Sequence, residues 1–104
     1  AYGELHYGQE RPVSLLEIPG AMECAVEFFS LSKLYSMPGW RVGFAAGNSR
    51  LIGALKKVKS YLDFGAFQPL QIACAFSLNR DDLNLDEVRA TYQSRSSVLS
   101  AGLL

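Results

Sequence analysis

Apolar and polar residues follow different rhythms in different parts of this chain, and the changes of rhythm mark its elements. From residue 2 to residue 20, Gly3, Gly8, Pro12, Pro19 and Gly20 break the pattern every few positions. This predicts an irregular connecting stretch around a short extended piece at 13–18. Residues 24–30 are apolar, rich in strand-forming types and followed by a polar tight segment, so they predict a buried strand ending at a loop. Lys33 falls just beyond the carboxyl end of that strand. A second strand is predicted at 40–47, after Pro38-Gly39, and the short interval between the two predicts a hairpin-like antiparallel return. That return brings Lys33 and Arg41 to the same rim.

A helical rhythm takes over at the capping pair Asn48-Ser49, with Leu51, Ile52, Leu55, Val58 and Leu62 on one side and Lys56, Lys57 and Lys59 largely on the other, solvated side. Asp63-Phe64-Gly65 interrupts it. Pro69 then opens a more uniformly apolar helix through Leu70, Ile72, Ala73, Ala75, Phe76 and Leu78, which is expected to be buried on several sides before Asn79-Arg80-Asp81-Asp82 ends it. Asn84 with Glu87 three residues on resembles a capping box and starts a last helix through Val88, Tyr92 and Leu99. No internal repeat or low-complexity stretch is present.

Composition narrows the possibilities. The 104 residues, about half of them apolar, suffice for one domain and not two. Ten basic and ten acidic side chains cancel, which removes the electrostatic footprint of a nucleic-acid or anionic-membrane binder and favours a small-molecule or protein partner. Cys24 and Cys74 lie far apart and His6 is the sole histidine, so no zinc or haem site is expected. The cysteines read as reduced and apolar, and His6 as a solvent-facing loop residue. No apolar run reaches the roughly 20 residues needed to cross a bilayer and no signal peptide is evident, so a soluble, cytoplasmic protein is expected. The lack of an initiator Met and the helical pattern continuing through 100–104 are what a piece of a longer chain would show.

The chemistry is concentrated in Ser30-Leu31-Ser32-Lys33-Leu34-Tyr35-Ser36-Met37-Pro38-Gly39-Trp40-Arg41-Val42-Gly43. This segment resembles the cofactor-lysine motif of the class I and II aminotransferases, in which Ser-x-Ser-Lys is followed by Gly-Trp-Arg-x-Gly. The resemblance extends from Ala1-Tyr2 through Pro19-Gly20 to Lys59-Ser60-Tyr61-Leu62-Asp63 and Phe67-Gln68-Pro69, and is nearest in character to the bacterial alanine-aminotransferase-like enzymes. Gly8-Gln9 stands where the family often has Asp-Gly, a departure confined to that turn.

The resemblance implies a role for each of five residues. Lys33 would hold pyridoxal 5'-phosphate as a Schiff base, which needs an amine presented from a rigid element into a dry pocket. Arg41 would clamp the cofactor phosphate with its fixed fork of donors. Ser30 would add a hydroxyl to the same phosphate, with Ser32 assisting. Tyr2 would hydrogen-bond the cofactor's phenolic oxygen. Taken alone, Lys33 would be read as a surface charge, Arg41 as a structural ion-pair partner and Ser32 as a plain loop hydroxyl. Trp40, Met37 and Gly39 are expected to be structural, Trp40 by packing, Met37 by filling space between the strands and Gly39 by allowing tight backbone passage.

The implied fold is α/β: part of a large domain with a mostly parallel sheet flanked by helices and an antiparallel strand near the cofactor lysine. Residues 1–95 would be the second half of that domain and 96–104 the start of a connector helix to a small domain. The implied activity is transfer of an amino group from an amino acid to a 2-keto acid by a homodimer, with residues 63–67 reaching the neighbouring site. A lyase or synthase of the same fold, and a non-catalytic sensor domain that binds the same cofactor, are the alternatives. The family's pyridine-pairing aspartate, ring-stacking aromatic and substrate-carboxylate arginine have no counterpart among these residues.

Overall fold

A computed structural model describes residues 2–8 and 10–104. Ala1, where the resemblance begins, and Gln9, half of the departing turn, lie outside the described residues. The elements are α1 (Ala21–Cys24), β1 (Val26–Ser30), β2 (Gly43–Gly47), α2 (Ser49–Leu62), α3 (Gln68–Leu78) and α4 (Leu85–Leu103). Short 3-10 turns stand at Leu15–Glu17 and Pro38–Trp40.

β1 and β2 form a two-stranded antiparallel sheet in the register Val26↔Gly47 to Ser30↔Gly43. Backbone bonds continue the ladder at both ends, from Asn48 N–H to the Ala25 carbonyl at 2.8 Å and from Leu31 N–H to the Val42 carbonyl at 3.2 Å. Gly43 is what lets the strands close at the loop end. A Cβ there would stand 2.5 Å from the Phe29 carbonyl oxygen, inside any tolerable contact. Across the sheet Phe29 and Phe44 stack with ring centroids 5.1 Å apart.

Several expectations change in detail. The extended piece at 13–18 is a 3-10 turn, because Ser14 and Glu17 form a capping box that satisfies its backbone donors. The first strand starts at Val26, not at 24, because Gly20 in the left-handed region lets α1 form just before it. The second strand starts at Gly43, not at 40, because Pro38–Trp40 makes a 3-10 turn and Arg41 itself takes a left-handed conformation at φ 53°.

α2 and α4 start where their caps predict, whereas α1 was not foreseen. The Asn48 side chain accepts from the N–H groups of Arg50 and Leu51, and Asn84 accepts from that of Glu87. α3, expected to be buried on several sides, is not: Ile72 and Phe76 are each 63% exposed. Its apolar residues surround the helix, and no other described element covers the outer ones. Among the described residues the buried apolar ones are Ala21, Leu31 and Leu34. His6, expected to face solvent, is half-buried, and its Nδ1 is closed off from solvent with no hydrogen-bond partner among the described residues.

Candidate active site

The site is built on the connection between the two strands. Leu31 and Leu34, three residues apart, are 0% and 3% exposed. They fasten the turn that follows β1, so the residues between them, Ser32 and Lys33, are presented from a fixed piece of backbone. Ser36 N–H closes this turn on the Lys33 carbonyl at 3.2 Å. Because Leu31 bonds to Val42, the next residues outward are Ser32 on one side and Arg41 on the other. The hairpin thereby brings the serine–lysine pair and the arginine to one rim, as the short interval predicts.

Each predicted residue can be located on that rim. The Ser30 hydroxyl oxygen accepts from Ser32 N–H at 3.2 Å, and its own proton has no acceptor among the described residues. The Ser32 hydroxyl makes no hydrogen bond among them. Arg41 donates from Nη1 to the Pro38 carbonyl at 2.9 Å and has no carboxylate partner among the described residues, so the ion-pair reading of this side chain is not realised. Lys33 is half-buried and likewise has no carboxylate partner there. Its Nζ lies 5.2 Å from the centroid of the Tyr2 ring, within cation–π range. The structure thus brings Tyr2 to Lys33 across 31 positions of sequence.

The residues expected to be structural are less uniform. Trp40 is 46% exposed and does not anchor a core here. Gly39 has open space where a Cβ would stand, so the close backbone approach is at Gly43 instead.

Two further neighbours were not evident from the sequence. Tyr35, next to Leu34, has its phenol pushed above the ordinary value, first by burial and then by the Glu4 carboxylate. Arg89, on α4, binds the backbone and carboxylate of Glu4, two residues from Tyr2. A contact across 85 positions leaves no local pattern to read. The capping box Ser14-x-x-Glu17, which the reading of 13–18 as extended missed, has a short local pattern that could have found it.

The side chains named here include a primary amine, a guanidinium without a carboxylate partner among the described residues, two hydroxyls and a phenol, a set whose chemistry suits a ligand that carries both an aldehyde and a phosphate. Among the described residues no cluster of three or more metal-binding side chains occurs, and no helix is long and apolar enough to cross a membrane.

Residues 1–104 match the family model of aminotransferase class I and II. The chain belongs to that family. It is 54% identical to the Rhizobium meliloti (strain 1021) protein AatC over 99 residues, which are 95% of this chain and 24% of the relative. It is 44% identical to the glutamate-pyruvate aminotransferase AlaC of Escherichia coli (strain K12) and 43% identical to the LL-diaminopimelate aminotransferase of Aquifex aeolicus (strain VF5), in each case over 99% of this chain and 25% and 27% of the relative. The chain spans about a quarter of the length of the curated relatives it matches. Membership of the family implies an α/β fold, with which the helices and the antiparallel pair of strands agree.

Proposed function

We propose that this segment carries the cofactor lysine and part of the phosphate cradle of a pyridoxal 5'-phosphate-dependent aminotransferase, which moves an amino group from an amino acid to a 2-keto acid. What supports the proposal is the approach of Lys33 to Tyr2, the bond from Ser32 N–H to the Ser30 hydroxyl, and the antiparallel return that sets the backbone of Arg41 opposite that of Ser32, in a chain whose relatives are named as aminotransferases.

Lys33 Nζ would hold the cofactor's aldehyde carbon, and its amine, when free, would carry the proton taken from the substrate's Cα. Arg41 and the Ser30 hydroxyl would hold the phosphate, with Ser32 beside them. The Tyr2 hydroxyl would donate to the ring oxygen. The bound cofactor supplies an electron sink that lowers the cost of negative charge at that Cα.

In the complete enzyme, residues 1–95 would form the second half of a large domain with a mostly parallel sheet, and 96–104 the start of the connector to a small domain. α4 runs unbroken through this boundary, as a connector helix would. A homodimer fits the loop at 63–67, where Phe64 is 96% exposed and takes a positive φ of 57°. A cytoplasmic location belongs to the same reading. The names of the relatives favour transamination over elimination by a lyase of the same fold.

The test is reduction with borohydride after pyridoxal phosphate is added to the full-length protein, followed by peptide mass spectrometry. A reduced adduct on Lys33, absent from Lys33→Ala, together with a new amino acid and keto acid among the products, is the expected outcome. An adduct spread over Lys56, Lys57 and Lys59 with none on Lys33 would overturn the assignment, and elimination products would favour the lyase.

A further inference from the structure

Tyr2 reaches Lys33 although nothing about Tyr2 itself holds it there, since its side chain is 63% exposed. What is held is the turn on which it stands. Leu5 N–H donates to the Tyr2 carbonyl at 2.9 Å and closes residues 2–5 into a tight turn. Glu4, the third residue of that turn, is gripped twice from α4: Arg89 Nε–H donates to the Glu4 carbonyl at 2.8 Å, and Arg89 Nη2 donates to Glu4 Oε2 at 3.1 Å.

Asp86, one turn back on α4, accepts from Arg89 Nη1 at 2.7 Å and steadies the guanidinium for that grip. This is the most sheltered ion pair among the described residues, with the Arg89 side chain 22% exposed and that of Glu4 35% exposed, against 40% or more for both partners of the pairs Arg11–Glu17, Lys59–Asp63 and Arg80–Asp82. A sheltered guanidinium making two directed bonds fixes orientation far better than a solvated charge pair.

We propose that Arg89 is a positioning residue: it latches the turn at residues 2–5 onto α4 and thereby aims Tyr2 at Lys33. The consequence for the cofactor rests on the reading of the active site given above, whereas the latch itself does not. Arg89 touches neither Lys33 nor a reacting atom. It acts by removing the freedom of a four-residue turn whose first member is Tyr2, so that the phenol waits in place and need not be ordered when the cofactor arrives.

The experiment uses the full-length protein and the variants Arg89→Met, Glu4→Gln, Tyr2→Phe and Arg89→Met/Tyr2→Phe. Amide hydrogen exchange is measured first without cofactor. Arg89→Met is expected to speed exchange at the Leu5 amide about tenfold while the amides of α2 keep their rates. Glu4→Gln, which keeps the carbonyl contact and loses only the charged one, should give a smaller rise of about threefold and serves as the test if Arg89→Met does not fold. An unchanged Leu5 rate in the variant that folds overturns the latch.

The dissociation constant for pyridoxal phosphate is then measured across the set. Arg89→Met is expected to weaken binding several-fold in the wild-type background and to add nothing in the Tyr2→Phe background, because its effect runs through Tyr2. The same several-fold loss in both backgrounds would make Arg89 a merely structural residue and overturn the proposal. If the wild-type protein forms no adduct at Lys33, the active-site reading falls, and the Leu5 exchange rate still decides the latch.

Discussion

A single hydrogen at the α-carbon of Gly43 decides whether the two strands can meet beside the lysine. Gly43→Ala would drive a methyl group against the Phe29 carbonyl oxygen, 2.5 Å away, and backbone cannot swing aside as a side chain can. The expected cost is roughly 1–3 kcal/mol of stability, read as a lower urea midpoint. Pyridoxal phosphate affinity should fall with it, since Ser32 and Arg41 are aligned by the same closure. The neighbouring Gly39→Ala meets open space and should leave both unchanged. At this scale the hairpin return after the lysine turn was legible from the Pro38-Gly39 break, whereas the roles of the lysine, the two serines and the arginine were suggested by resemblance to a family. The latch through Arg89 was not legible, because a residue on a helix carries no mark of the distant carbonyl it will bind.

Elements are joined here by a few side chains at their ends. Asn48 caps α2 through its side-chain oxygen, while its amide donates to the carbonyls of Met22 at 3.3 Å and Glu23 at 2.7 Å, tying the end of the sheet to α1. Asn48→Ala should therefore cost more than an ordinary cap, about 1–2 kcal/mol, whereas Asn48→Asp, which keeps only the cap, should recover part of it; thermal unfolding of the two variants separates the contributions.

At the other end of α2, Asp63 accepts from Lys59 and from Gly65 N–H at 2.9 Å, and these bonds hold its carboxyl below its ordinary value of 3.8. A depressed carboxylate stabilises the folded state above the ordinary value and loses that contribution as pH falls through the lower, folded one. The protection factor of the Gly65 amide, its observed rate compared with the intrinsic rate at each pH, should accordingly hold at neutral pH and fall as pH drops below the ordinary value of 3.8 and through the lower, folded one, and Asp63→Asn should remove that loss of protection. Caps and breakers located the starts of α2, α3 and α4 from sequence alone, whereas α1 went unread. The strand starts moved by two and three residues because left-handed backbone at Gly20 and Arg41 depends on how the chain packs, which local pattern does not carry.

The whole molecule exposes 8156 Å² of accessible surface and has a radius of gyration of 16.5 Å. A self-contained globule of 11.4 kDa would expose about 5800 Å² with a radius near 13 Å. Large apolar side chains contribute to that surface, Phe28, Ile72, Phe76, Val98 and Leu99 among them, and among the described residues each strand of the sheet has an unpaired edge. These 104 residues expressed alone should therefore bind a hydrophobic dye strongly and elute as mixed oligomers, while the full-length protein should do neither; dye fluorescence and light scattering compare them directly. The apolar character of α3 was legible from its sequence, but what covers it was not, because no other described element does so.

The grip of Arg89 on Glu4 also sets an order in time. The two lie 85 positions apart, so the turn that carries Tyr2 leaves the ribosome long before the helix that fastens it. At about 5–20 residues per second, several seconds pass during which the serines, Lys33 and Arg41 have already been made and Tyr2 is still loose. The growing polypeptide thus goes through a stage in which the lysine is present and its phenolic neighbour is not yet fixed, and translation of α4 brings that stage to an end.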